Sequence, residues 1–220
     1  MSKRSPQYEL VRAIPFKKRN IGPARERVMD APRRRSASVS AGLKPELKYF
    51  DTAFSTDATS TSTVVQLTSV AAGDTALTRD GNKLAMRSLE LRIKGNLEAS
   101  NQNATIRFVL LIDKQANNAS ISWGTVFDSE SPQSLRLISS LSRFDILMDK
   151  VITVNATSTN ALQKFFFKKY VKIPNIIASF TDGTAAVPYT NSLVLMYNSD
   201  VATGVTDTDI FGQARLRFVG

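Results

Sequence analysis

Cysteine and histidine are both missing from this 220-residue chain, and tryptophan occurs once. Without cysteine there is no disulfide, no thiolate nucleophile and no thiolate zinc site. Without histidine there is no imidazole general base and no Ser-His-Asp triad. Carboxylate or lysine catalysis would need paired groups in a pocket, and most of the acids here are scattered or sit in turn-like segments. The chain therefore reads as a non-enzyme, with no metal or other cofactor expected. Long apolar runs are absent too. The longest, such as Phe-Val-Leu-Leu-Ile at 108–112, are strand-sized and far short of the ~18–20 residues that span a bilayer, so no membrane insertion is expected. Met1-Ser-Lys-Arg-Ser-Pro6 has bases but no apolar segment behind them, unlike a secretory signal. Glu9, Glu26 and Asp30, with Pro6, Pro15, Pro23 and Pro32, argue against a helical mitochondrial transit segment.

What the chain does have is positive charge, unevenly placed. Of 29 Lys and Arg residues, eleven fall in the first forty positions: Lys3, Arg4, Arg12, Lys17, Lys18, Arg19, Arg25, Arg27, Arg33, Arg34 and Arg35. Only three acids accompany them, so this leader carries +8 of the chain's +10, and residues 41–220 carry +2. The apolar residues between the bases are too few for a core. Residues 1–42 are read as a basic, largely flexible arm that faces a polyanion, and 43–220 as a nearly neutral body large enough for one β-sandwich or barrel. Neutralised phosphates release condensed counterions, which gives the arm sequence-independent affinity for nucleic acid. Lys17-Lys18-Arg19 and Arg33-Arg34-Arg35, separated by thirteen residues, also match the pattern of a bipartite nuclear localisation signal.

The body shows short β signals punctuated by turn residues. Strands are expected over 47–54, 63–70, a segment centred on Leu89, Leu91 and Ile93, and 104–114. Four more are expected over 144–154, 162–173, 191–199 and 211–219. Leu89, Leu91 and Ile93 alternate with Glu90, Arg92 and Lys94, the two-residue period of a half-buried strand. Met86 is out of phase with that set, so a bulge is expected near Arg87-Ser88. In 104–114 both faces are apolar (Ile106, Phe108, Leu110 and Ile112 on one, Val109 and Leu111 on the other), which reads as a central strand. Residues 115–140 form a long excursion whose expected helical turn is 132–140, with Trp123 and Phe127 as a packing anchor beneath it. Eight short strands with long connections point to an all-β, two-sheet sandwich, a jelly roll or a related Greek key.

The order of these features resembles the capsid proteins of small circular Rep-encoding single-stranded DNA viruses (the circovirus-like group) and jelly-roll coat proteins of satellite plant viruses. The segments that carry the resemblance are the basic leader, Arg79-Asp-Gly-Asn-Lys-Leu-Ala-Met-Arg-Ser-Leu-Glu-Leu-Arg92, and Arg107-Phe-Val-Leu-Leu-Ile-Asp-Lys114 followed by Trp123-Gly-Thr-Val-Phe127. Arg143-Phe-Asp-Ile-Leu-Met-Asp-Lys150, Asn191-Ser-Leu-Val-Leu-Met-Tyr197 and Ala214-Arg-Leu-Arg-Phe-Val219 complete it. The leader is less arginine-dense than in circoviruses proper, and geminivirus-type Cys/His elements are missing, which places the chain outside the core genus. The resemblance implies an eight-stranded antiparallel jelly roll that self-assembles into a small icosahedral shell, T=1 with 60 subunits. It further implies packaging of single-stranded nucleic acid, a circular DNA, and a life in the virion and the host nucleus, with a host nuclear import receptor as a further partner. The alternative is a cellular jelly-roll binding module, lectin- or cytokine-like, with a basic extension.

Two further groups of side chains stand out. In 164–173, Lys164, Phe166, Lys168, Tyr170 and Lys172 fall on one face of a strand, an aromatic and basic combination suited to single-stranded nucleic acid; a structural strand with snorkelling lysines is the competing reading. Arg215 and Arg217 likewise share a face. Asp200, Asp207 and Asp209 sit in the loop before the last strand without EF-hand spacing, and read as solvated loop acids rather than calcium ligands.

Overall fold

The computed structural model describes residues 46–97, 103–155, 163–183, 187–202 and 208–220. The leader, with its eleven bases, its import-signal pattern and its boundary at residue 42, lies outside the described residues, as does Asp207.

Among the described residues eight strands follow in chain order: β1 (Lys48–Ala58), β2 (Thr63–Gln66), β3 (Lys83–Leu97), β4 (Asn103–Asp113), β5 (Phe144–Asn155), β6 (Gln163–Ser179), β7 (Ser192–Ser199) and β8 (Thr208–Val219). All strand pairings are antiparallel, in two four-stranded sheets ordered β1-β8-β3-β6 and β2-β7-β4-β5. The pairs β1·β8, β2·β7, β3·β6 and β4·β5 are those of one long antiparallel ribbon folded at its middle. The further pairs β3·β8 and β4·β7 arise when that ribbon rolls into a sandwich. This strand order is a jelly roll.

Alternation decides which side chains meet between the sheets. Leu84, Met86, Leu89, Leu91 and Ile93 of β3 face Ile106, Phe108, Leu110 and Ile112 of β4, with Leu193, Leu195 and Tyr197 of β7 and Ile210, Leu216 and Phe218 of β8. Phe108 lies at the centre, its ring 5.2 Å from Phe167 across the sandwich and 5.6 Å from Tyr197 beside it. The expected bulge is present. Pairing of β3 with both neighbours shifts between Met86 and Ser88, so Met86 and Leu89 both point inward.

The excursion between β4 and β5 seals the second sheet's other face. Ile121, Trp123, Val126 and Phe127 pack on Val109 and Leu111 of β4 and on Val194 and Met196 of β7. This is why 104–114 is apolar on both sides. Trp123 and Phe127 are the anchor, fully buried with ring centroids 4.5 Å apart. Arginines fasten the cover. Arg107 grips Asp149 with both arms of its guanidinium at 2.8 and 2.6 Å. It also donates to the Ser134 carbonyl at 2.7 Å and lies 4.3 Å over the Phe127 ring. Arg143 holds buried Asp113 in the same forked manner, and Arg136 donates to the carbonyl of Phe144.

Two expectations are corrected. The excursion's α-helical turn is α1 (Trp123–Val126); 132–140 holds only a 3₁₀ turn at Ile138–Ser140, and its Leu135 and Ile138 are 75% and 85% exposed. Trp123 and Val126 of α1 are buried against the sheet, whereas Leu135 and Ile138 project away from it. The strand expected to stop at Ile173 runs on through Pro174 to Ser179. β6 is an edge strand, and Pro174 falls in its register break with β3, between Ile176 opposite Met86 and Lys172 opposite Ser88, a place where a missing amide is tolerated.

Candidate nucleic-acid interface

The two sheets differ in what covers them. The excursion closes the outer face of β2-β7-β4-β5, whereas the outer face of β1-β8-β3-β6 is open in the described body. On that open face the strand registers place side chains in tiers running across the sheet from β1 to β6. They read Tyr49–Arg217–Ser88–Lys172, then Asp51–Arg215–Glu90–Tyr170, Ala53–Gln213–Arg92–Lys168, and Ser55–Phe211–Lys94–Phe166. A fifth tier is Asp57–Asp209–Asn96–Lys164. The first four tiers hold six bases and two acids, +4, and all five hold seven bases and four acids, +3 on one surface. The whole body carries only +2, so this is segregated charge and not a share of a general excess.

Rings alternate with the cations. Phe166 is 67% exposed, Tyr170 54%, Tyr49 44% and Phe211 41%. Buried aromatics are ordinary; four exposed ones on a single sheet face, each beside a Lys or Arg, are not. The Lys94 ammonium lies 6.0 Å from the Phe211 ring centre, and the Arg215 guanidinium 5.8 Å from that of Tyr49. A shallow groove of about 540 Å³ runs among Ala53, Ser55, Arg92, Lys94, Phe166 and Phe211. A second of about 430 Å³ adjoins it over Asp51, Glu90, Arg92 and Arg215.

The two acids of the first four tiers are already engaged. Glu90 Oε1 accepts from Arg92 Nε and Nη2 at 2.9 and 2.7 Å and from Lys168 Nζ at 3.0 Å. These hydrogen bonds, Arg92 first and Lys168 second, hold the Glu90 carboxyl down at about 2. Asp51 is likewise lowered by the forked donation from Arg215 at 2.7 and 2.6 Å. Both carboxylates stay charged at neutral pH. They organise the cations without cancelling the surplus.

Lys164, Lys168 and Lys172 stand together on this face as the alternation of β6 required, with Phe166 and Tyr170 between them. Arg215 and Arg217 join them through β8. Arg92, Lys94, Phe211 and Tyr49 are the residues that strand-by-strand reasoning did not assign. The polar alternation of β3 was visible, but its placement beside the lysines of β6 and the arginines of β8 is a matter of strand order. Asp200 accepts from the Thr105 amide at 2.7 Å, and Asp209 sits in β8 opposite Asp57. Among the described residues no three acids converge as a metal site, and no helix is long and apolar enough to cross a membrane.

No protein-family model and no curated protein matches the chain. Among solved structures, the chain is similar to one of desmodium yellow mottle tymovirus, at 11% identity over 98% of this chain and 96% of that one, with a TM-score of 0.33. It is similar to the empty head of turnip yellow mosaic virus at 15% identity, 92% and 90% coverage and a TM-score of 0.36. It is also similar to a structure of infectious bursal disease virus at 12% identity over 80% of this chain and 32% of that one, with a TM-score of 0.26. Identities and TM-scores are all low, and the jelly-roll assignment rests on the strand order itself.

Proposed function

We propose that this chain is a viral capsid protein. Copies of it close into a small icosahedral shell of the T=1, 60-subunit kind and enclose a single-stranded genome, a circular DNA on the circovirus-like resemblance. The observation that carries this reading is the asymmetry of the sandwich. One sheet is sealed by its own excursion, while the other presents a basic and aromatic face from a body that is otherwise nearly neutral. In the proposal that open face turns toward the genome, and the +8 leader extends the same chemistry into the interior. About 60 leaders would bring roughly +480 into one cavity, which strongly disfavours closing the shell empty. Phosphate contacts of this sort position a strand without reading its sequence. Lys17-Lys18-Arg19 and Arg33-Arg34-Arg35 serve nuclear import through a host receptor before the shell closes, and phosphate neutralisation afterwards.

The outward side has its own logic. Leu135, Ile138 and Leu141 are 75%, 85% and 50% exposed on the excursion, at the turn of the folded ribbon and away from the basic face. Closed symmetry covers such side chains with a neighbouring copy.

The test is to express the full chain and examine it by size-exclusion chromatography and electron microscopy, with nuclease treatment and sequencing of protected nucleic acid. Closed particles containing nuclease-resistant single strands are expected. Deleting residues 1–40 should sharply reduce the co-purifying nucleic acid while the body still folds. A chain that stays monomeric or trimeric under all assembly conditions would refute the shell and favour the cellular binding module.

A further inference from the structure

The geometry points to a base-stacking site on the folded body itself, which makes this surface selective for single-stranded over double-stranded nucleic acid. The inference rests on the packaging role proposed above and names what the open face recognises.

Phe211 of β8 and Phe166 of β6 occupy one tier with Lys94 of β3 between them. Adjacent strands lie ~4.8 Å apart, so the two rings are planted roughly 10 Å apart on either side of one ammonium. Arg92 and Lys168 stand in the next tier. On β1 the same two tiers end in the small side chains Ala53 and Ser55, so the groove stays open along that edge. Rings to stack on, with cations within one residue spacing to hold the linking phosphates, are the two components of a single-strand site.

Two other occupants fit less well. A protein interface core is depleted in lysine, and here each exposed ring has a Lys or Arg beside it. A duplex keeps its bases stacked on each other, so its contacts with a gently twisted sheet would be phosphate contacts that leave Phe166 and Phe211 without partners. Only unstacked bases use both components.

Glu90 tunes the site. It draws Arg92 and Lys168 to a single oxygen, holding two cations close together beside the rings before any ligand arrives. A phosphate must displace the carboxylate to use this pair, so Glu90 places the two cations and at the same time limits how tightly the face binds.

The test uses the full chain with two probes, an oligo(dT) and a duplex of matched length, and a Phe166→Leu, Phe211→Leu double variant. Loss of two stacking rings should weaken oligo(dT) binding about tenfold or more. Duplex affinity and the salt dependence of both should stay as in the parent, because no charge has changed. The Phe166→Tyr, Phe211→Tyr variant keeps the rings and should restore oligo(dT) affinity. Because the leader also binds nucleic acid, photo-crosslinking with iodouracil-substituted oligo(dT) gives an independent readout. Crosslinks in the peptides containing Phe166 and Phe211 are expected, and should vanish in the leucine variant.

Equal losses for both probes, or crosslinks confined to residues 1–45 with unchanged affinity, would overturn the stacking site while leaving packaging intact. So would a leucine variant that binds oligo(dT) normally but no longer forms particles, because the rings would then be subunit contacts. A parent chain that binds neither probe would refute the packaging reading itself.

Discussion

Replacing Arg107 with glutamine should loosen the excursion from the sheet beneath it, and the structure supplies the magnitude. Arg107 is the main clasp. Its side chain is only 12% exposed and makes three kinds of contact at once. The 2.7 Å bond to the Ser134 carbonyl has a charged donor, and losing it costs about 2 kcal/mol. Its position 4.3 Å over the Phe127 ring contributes about 1 kcal/mol. Asp149 is 36% exposed, so solvent screening reduces the ion pair to about 0.5 kcal/mol. The sum is about 3–4 kcal/mol, a large share of the ~5–15 kcal/mol that stabilises a typical domain. With a urea slope near 2 kcal/mol per molar, the midpoint should fall by about 1.5–2 M. The protein carries its own reporter for this. Trp123 is the sole tryptophan, and it is buried under the excursion with Nε1 donating to the Ser129 carbonyl at 2.9 Å. Urea titrations of Arg107→Gln should show the tryptophan emission shifting to the red ahead of the loss of far-ultraviolet β signal, as the excursion lifts before the sandwich opens. Arg107→Lys keeps the charge but not the forked geometry and should recover only a minor part. Midpoints within about 0.3 M of the parent, with coincident emission and β-signal transitions, would refute the clasp.

The acids of the open face yield opposite signs for binding and stability. Glu90→Gln releases Arg92 and Lys168 to phosphates, so single-strand affinity should rise several-fold and the log–log salt slope should steepen by about 0.7 for each phosphate newly neutralised; a filter-binding salt titration checks it, and weaker binding would sink it. For stability, the folded-state carboxyls of Glu90 and Asp51 lie below their unfolded values. Their contribution is therefore fully present above about pH 5 and is lost as pH falls through the folded values, a window for Glu90 from about 4 down to about 2. Thermal melts should show Glu90→Gln and Asp51→Asn less stable than the parent at pH 6, with the difference gone near pH 2. Packing offers a separate check, because a Cβ at Gly212 would lie 2.0 Å from the Phe54 ring. Gly212→Ala should cost about 1–3 kcal/mol in a denaturant titration, and much less in a Phe54→Ala background, where the ring is gone.

Much of the architecture could be read from one chain of residues. The two-residue period marked where β3 alternates, the phase break at Met86 marked its bulge, and apolar faces on both sides of 104–114 marked β4 as a strand covered twice. These are local signals, since the pleat forces alternate side chains to opposite faces and burial selects their type. The β6 lysines were legible for the same reason. What local signals could not supply is adjacency. That Arg92 and Lys94 stand beside Lys168 and Phe166, and that Phe211 arrives from the far end of the chain to complete the tier, follows only from rolling the ribbon so that β8 pairs with β3. Nor does any periodicity announce Arg107 as the clasp of the excursion, or explain how β6 survives Pro174. The first depends on carbonyls 25 and more residues away, the second on β6 lying at an edge, with Pro174 in its register break with β3. Composition alone determined that positive charge is concentrated and that histidine and cysteine chemistry are excluded. Tertiary structure decided where on the body the remaining charge converges, because cross-strand pairing joins residues that sequence keeps far apart.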